Sequence, residues 1–208
     1  MKLSDIVLSN LVKFGNAKLP KSTAIFNLGS ATNNCPNRGK ERCQVEANQC
    51  YAFKSERRYP QAKQYRERQL NYWESVTARD FIYQFNQIVK LKRNRVKALR
   101  FNVSSDLRNQ SDINKIESIA RNVNVKVYLY TASSHLDLGQ FDQTIVNASN
   151  RKIWKKYRNK SNFNYYMVTS SERKAKQFES QGVARCRNDC SECNHCLTST
   201  GKIIQVIH

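Results

Sequence analysis

Short β-prone runs separated by stretches of helical spacing constrain the fold of this chain more than any other feature. Residues 98–103, 125–130 and 165–168 are apolar and aromatic runs of strand length. Between the first two, Ile113, Ile116, Ile119 and Ala120 recur at helical intervals behind Ser111, a capping residue. After the third, Ser170 and Ser171 cap another helical stretch that Gly182 stops. Strands joined through helices run parallel, because a parallel pair needs a long crossover and an antiparallel pair needs a short turn.

The same reading extends towards both ends. Ser4 and Asp5 cap a short helix through Phe14, which Gly15 ends, and residues 23–28 form a first strand. Pro60 opens a helix carrying Ala62, Tyr65, Tyr72, Trp73 and Val76. Thr77 with Asp80 resembles a capping box and restarts a helix with Phe81, Ile82, Phe85, Ile88 and Val89. Residues 144–146 give a shorter strand and 203–207 a last one. The expected fold class is α/β, a mostly parallel sheet in a partial (β/α) barrel, with a C-terminal cysteine-rich cluster loop and closing strand. With no repeat or long linker, residues 1–208 read as a single domain and residues 183–208 as its cysteine-rich appendage. In such folds function gathers in the loops after strand C-termini.

Seven cysteines leave one over from any complete disulfide set, and clustered cysteines without a secretory signal more often bind metal. Cys186, Cys190, Cys193 and Cys196 are separated by three, two and two residues. That is the bacterial ferredoxin ladder in reverse order, and a 4Fe–4S cluster presents several irons to one such segment. A single zinc ion, the alternative cofactor, is usually enclosed by two separated ligand pairs, so four thiolates this close suit it less well. Cys35, Cys43 and Cys50 form a looser candidate group, with gaps of seven and six that match no common zinc knuckle. They could hold a second cluster, share the first, or pack as small hydrophobes. His195 and His208 are further candidate ligands and more often ordinary surface residues.

Thirty-six Lys and Arg against sixteen Asp and Glu give a net charge of +20, an excess that favours polyanions such as DNA or RNA. The cations concentrate in Lys90, Lys92, Arg93, Arg95 and Lys97, and again in Arg151, Lys152, Lys155, Lys156 and Arg158 around Trp154. Cations neutralise phosphates, and an indole can stack on unpaired bases. A further group, Lys54, Arg57, Arg58, Lys63, Arg66 and Arg68, lies among tyrosines just after Cys50; Tyr65 and Tyr72 there keep core spacing. No apolar stretch approaches the roughly 20 residues a membrane helix needs, and no signal-peptide pattern opens the chain, so a cytoplasmic location is expected. Asp106, Asp112 and Asp137 make no paired-carboxylate constellation for two-metal cleavage, and there is no Walker motif or nucleophile elbow.

Cys35-Pro36, Cys43 and Cys50-Tyr51-Ala52 resemble the Cys-Pro, Cys and Cys-Tyr-Ala signature of the phage gene product 88 family. Ser104-Ser105-Asp106 is similar to that family's Ser-Gly-Asp, with Ser105 in place of Gly, and Tyr130-Thr131 matches its Tyr-Thr. The closing cysteines and the short strand ending in His208 are similar again, so the likeness runs from about Phe26 to the end. It implies a phage protein working in the host cytoplasm and a shared cysteine site, without naming a reaction. A weaker similarity is to radical S-adenosylmethionine barrels, whose three-then-two spacing Cys186, Cys190 and Cys193 repeat. In those enzymes the triplet follows the first strand, no Gly-rich segment for the methionine moiety stands out here, and Cys196 could close the open iron. The expected function is a phage-type iron–sulfur protein that binds nucleic acid, its cluster structural or redox-sensing. The alternatives are a radical enzyme and a zinc-stabilised module acting on a host protein partner.

Overall fold

The computed structural model describes residues 8–93, 95–190, 193–198 and 201–206. Its centre is an eight-stranded sheet in the order β1-β2-β3-β4-β5-β6-β8-β7. The strands are β1 (Lys13–Phe14), β2 (Thr23–Phe26), β3 (Ala98–Phe101), β4 (Lys126–Thr131), β5 (Ile145–Ala148), β6 (Phe163–Thr169), β7 (Ala184–Arg185) and β8 (Lys202–Val206). Every pairing is parallel except β1 with β2. The helices are α1 (Tyr51–Arg58), α2 (Pro60–Ser75), α3 (Ala78–Leu91), α4 (Gln110–Asn122), α5 (Arg151–Tyr157) and α6 (Glu172–Glu179).

From β2 to β6 each strand pairs with the next in the chain, so the order never reverses. Right-handed crossovers in an unreversed order leave their helices on one face of the sheet. The core confirms this placement. Phe26, Leu99, Phe101, Val127, Leu129, Val146, Ala148 and Phe163 alternate onto one face and join Trp73, Phe81, Phe85, Ile113, Ile116 and Ile153 from α2 to α5 in one buried cluster. Phe26 is its hub, with ring centroids of Phe81 at 5.3 Å, Trp73 at 6.0 Å and Phe101 at 6.1 Å. A second cluster joins Ala175 of α6 to Met167, Ile204 and Val206. The sheet remains open, with β1 and β7 at its edges.

Several local expectations hold for visible reasons. Thr77 and Asp80 form both halves of the capping box at α3, and Ser171 caps α6 by accepting from Lys174 N. Others change. Residues 4–7 of the expected first helix lie outside the described residues; a helical turn covers 8–11, and Phe14 belongs to β1. Gly15, at φ 66°, turns the chain there and its N–H donates to Thr23 O, which lets β1 pair back on β2. The cap of α4 is Asn109, whose side chain accepts from Asp112 N, and Ser111 lies inside the helix. Helices α1 and α5 and strand β7 were not evident from periodicity, because each is too short for it to accumulate. Strand β8 pairs with β6 over five residues and with β7 over two, so the closing strand is interior to the sheet.

Candidate functional site: a thiol-lined face of the sheet

The face opposite the helices carries a different chemistry. Register places Arg100 beside Tyr128, Tyr130 beside Asn147, and Asn147 beside Asn164. Side chains in register share a face, so these residues, with Tyr166 two further along β6, line the surface the helices leave uncovered. The Arg100 guanidinium carbon lies 4.5 Å from the Tyr130 ring centroid and 5.8 Å from that of Tyr128. Tyr130 meets Tyr166 edge-on at 4.8 Å.

The C-terminal cysteine loop is held over this platform by two buried asparagines. Asn147 Nδ2 donates to Cys196 O at 3.1 Å, and Asn164 Nδ2 donates to Thr198 O at 2.9 Å. Asn164 also accepts from Gly201 N through Oδ1, and Lys126 Nζ donates to Leu197 O at 3.3 Å. Cys186 N donates to Ile204 O and Cys190 N to Lys18 O, fixing the other end of the loop. Sequence reasoning missed both asparagines. Their signal is a polar amide inside a strand-like run, since a fully buried Asn must find partners.

All four C-terminal thiols lie in one electrostatic neighbourhood. Cys186 acts on Cys190 and Cys196, Cys193 acts on Cys190, and the Arg100 charge acts on both Cys190 and Cys196. Burial pushes the Cys196 thiol up to about 12, against the hydrogen bond of the Tyr130 hydroxyl, which favours the thiolate. Burial also raises Cys190. Tyr166 contacts Cys186, and its hydroxyl donates to Gln205 Oε1 at 2.7 Å.

Cys35, Cys43 and Cys50 are brought together on a separate loop across the C-terminal ends of the strands. Asn37 Nδ2 donates to Asp106 Oδ2 and Ser133 Oγ, both at 2.7 Å, while Asn150 Nδ2 donates to Arg42 O at 2.8 Å. Gln44 Nε2 donates to Ser149 O and Tyr166 O. Burial raises Cys35 to about 11 and also raises Cys43, with the Asp106 carboxylate adding to both shifts. Asp106 is therefore an anchor of this loop: it accepts from Asn37, from Leu107 N and from Ala132 N. Burial raises its carboxyl despite those bonds.

All seven cysteines are free and partly exposed. Among the described residues no three His, Cys, Asp or Glu side chains stand close enough to enclose a metal ion. His208 lies outside the described residues, and His195 opens a short 3-10 turn within the cysteine loop.

The basic segments land in two places. Lys90, Lys92, Arg93 and Arg95 are exposed at the end of α3, before the N-terminal end of β3. An open cleft of about 520 Å³ there is lined by Lys21, Lys92, Arg93 and Arg95 with Phe14, whose ring lies 5.0 Å from Lys92 Nζ. Arg151, Lys152, Lys155, Lys156 and Arg158 are exposed on or just beyond α5, which follows the C-terminal end of β5. The two groups thus sit at opposite ends of the parallel strands. Trp154 is half-buried, with its ring stacked on Tyr165 at 6.1 Å and 10°.

Fold and site together define an α/β protein with a one-sided parallel sheet whose uncovered face carries a cysteine-rich loop. The chain belongs to the gene product 88 family, a phage family whose model matches residues 9–202. No curated protein and no solved structure matches it. The similarity to radical S-adenosylmethionine barrels finds no support, and Cys186, Cys190 and Cys193 lie between β7 and β8 rather than after the first strand. No helix among the described residues is long and apolar enough to cross a membrane.

Proposed function

We propose that this is an iron–sulfur protein whose Cys186, Cys190, Cys193 and Cys196 hold a 4Fe–4S cluster against the uncovered face of the sheet. The observation that carries this reading is Arg100. Its guanidinium lies inside the thiol neighbourhood, its Nε is buried without a hydrogen-bond partner, and among the described residues no carboxylate pairs with it. A buried charge is costly unless it meets an opposite one, and a cluster bound by four thiolates carries net negative charge. A zinc ion would draw all four sulfurs to about 2.3 Å from one point. A cluster spreads them over several irons, which suits thiols that share a neighbourhood without converging. Tyr130 would then donate to a ligand sulfur and help set the potential. The cluster's role is structural or redox-sensing, since four local thiolates leave no iron open.

The test is protein purified without oxygen. Brown colour, with iron and acid-labile sulfide near four each per chain, is expected; values near eight would add a second cluster at Cys35, Cys43 and Cys50. Replacing Cys190 and Cys193 together by Ser should remove the colour of the first cluster. Colourless protein with one zinc and no sulfide would refute the assignment and leave a zinc-stabilised interaction module.

The exposed cations of α5 and the excess charge of +20 favour a second role, contact with DNA or RNA through phosphates in the host cytoplasm. Because Trp154 is stacked on Tyr165, phosphate contact leads and base stacking is secondary. Salt-dependent filter binding tests this. Absence of binding to single- or double-stranded DNA and RNA at moderate salt would shift the basic surface to an acidic host protein partner, which a nuclease-treated pull-down would retain.

A further inference from the structure

We propose that the C-terminal end of β3 is a binding site for a small carboxylate that also carries a hydroxyl or amino group, an α-hydroxy or α-amino acid. Four side-chain polar atoms among the described residues are buried without a hydrogen-bond partner: Arg100 Nε, Asn102 Nδ2, Asn102 Oδ1 and Ser105 Oγ. All four fall within six consecutive residues. Native interiors rarely leave such groups unpaired, and their concentration in one segment marks a place where something else supplies the partners. Asn102 is 5% exposed and both ends of its amide are unmet.

The backbone singles out the same segment. Asn102 has φ 59° and Ser105 has φ 65°, two of the four non-glycine residues with positive φ among the described residues. Left-handed backbone at non-glycine residues is costly and collects at ligand sites. The segment leaves the sheet between β2 and β4, beneath the loop carrying Cys35, Cys43 and Cys50. Parallel sheets place ligands there, beyond the carboxyl ends of central strands. Tyr51 supplies the approach: its hydroxyl donates to Val103 O and it lies within the field of Arg100, yet the residue is 59% exposed.

The donor and acceptor inventory names the ligand class. Arg100 Nε and Asn102 Nδ2 each need an acceptor, Asn102 Oδ1 needs a donor, and Ser105 Oγ takes either. Arg100 further requires that one acceptor be anionic. A carboxylate meets the two donors, and a neighbouring hydroxyl or ammonium meets the amide oxygen. The site shares Arg100 with the proposed cluster, whereas Asn102 and Ser105 belong to this site alone and carry the test.

Calorimetric titration of the protein, as purified, with glycolate, L-lactate, L-malate and the common L-amino acids tests it. At least one member should bind with a dissociation constant below about 1 mM, the weak end of ordinary specific binding. Asn102→Ala should weaken that binding tenfold or more, while iron and sulfide content stay unchanged. Ser105→Gly, which suits the local backbone, keeps the test open if Asn102→Ala fails to fold, and should weaken binding severalfold. No binding by any member, binding equal in both variants, or a crystal structure with ordered waters alone on the four atoms would overturn the proposal.

Discussion

Removing the Glu56 carboxylate should cost this protein more than any surface change of the same size. Glu56, on α1, is 3% exposed and accepts five hydrogen bonds. Oε1 takes Ala31 N at 2.8 Å, Arg66 Nη1 at 2.6 Å and Ser104 Oγ at 2.9 Å; Oε2 takes Thr32 N at 2.8 Å and Thr32 Oγ1 at 2.6 Å. It thereby ties the loop after β2, the loop after β3 and α2 to the helix that follows Cys50. Glu56→Ala leaves the buried Ala31 N–H and a nearly buried guanidinium without this acceptor, a loss of about 3–5 kcal/mol. Glu56→Gln keeps the shape but turns an NH2 group towards donors whichever way the amide lies, so it should still lose about 2–3 kcal/mol. Urea unfolding followed by circular dichroism measures both. Burial works to raise the Glu56 carboxyl, but the bonds from Thr32, Arg66 and Ala31 outweigh it and hold the pKa below its ordinary value. A depressed carboxylate stabilises above its unfolded pKa of about 4.3. The wild-type advantage over Glu56→Gln should therefore be full near neutral pH and close as pH falls below about 4. A loss under about 1 kcal/mol for Glu56→Ala, or equal stability of wild type and Glu56→Gln at pH 7, would falsify the reasoning.

Ser105→Gly should raise stability by about 0.5–1 kcal/mol, because relief of the left-handed strain exceeds the entropy glycine adds to the unfolded chain; a lower unfolding temperature would contradict that. Tyr130→Phe removes the phenol that hydrogen-bonds Cys196, so the reduction potential of the proposed cluster should move down with iron content unchanged; an unmoved potential in anaerobic titration would separate the phenol from the proposed ligand sulfur. Asn164→Leu deletes the donor to Thr198 O and the acceptor for Gly201 N, and should cost about 1–3 kcal/mol and loosen the proposed cluster, read as faster iron loss to a chelator. Reversing the charges of Lys152, Lys155, Lys156 and Arg158 should weaken nucleic-acid binding on every sequence and flatten the salt slope by about 0.9 for each phosphate no longer neutralised. An unchanged slope would move the interface elsewhere.

Much of the fold was legible in the sequence because it is written in local periods. The apolar alternation of β4, the helical spacing of Phe81, Phe85 and Ile88, and the Thr77–Asp80 capping box each depend on neighbours a few residues away. The strand–helix rhythm then implies a parallel sheet, since the crossover length leaves little else. The family likeness was equally visible, as a set of short motifs at the ends of strands.

Tertiary structure decided what those motifs do. Asp106, legible only as part of a short motif after a strand, proves to be an anchor for the loop that carries Cys35, because its partners Asn37 and Ala132 N are 69 and 26 residues away in the chain. The position where the family has Gly is explained by backbone: residue 105 has φ 65°, which glycine adopts freely and serine resists. Trp154, read as a stacking surface for bases, packs its ring on Tyr165 and stays partly exposed. The assembly of Arg100, Tyr128, Tyr130, Asn147 and Asn164 into one platform was invisible, because it arises from register across four strands rather than from spacing along one. Sequence by itself determined which elements form and that the closing cysteines lie close together. Only the one-sided winding of the sheet decided which face those cysteines cover and which buried charge they meet, since an unreversed strand order places the helices on the opposite face.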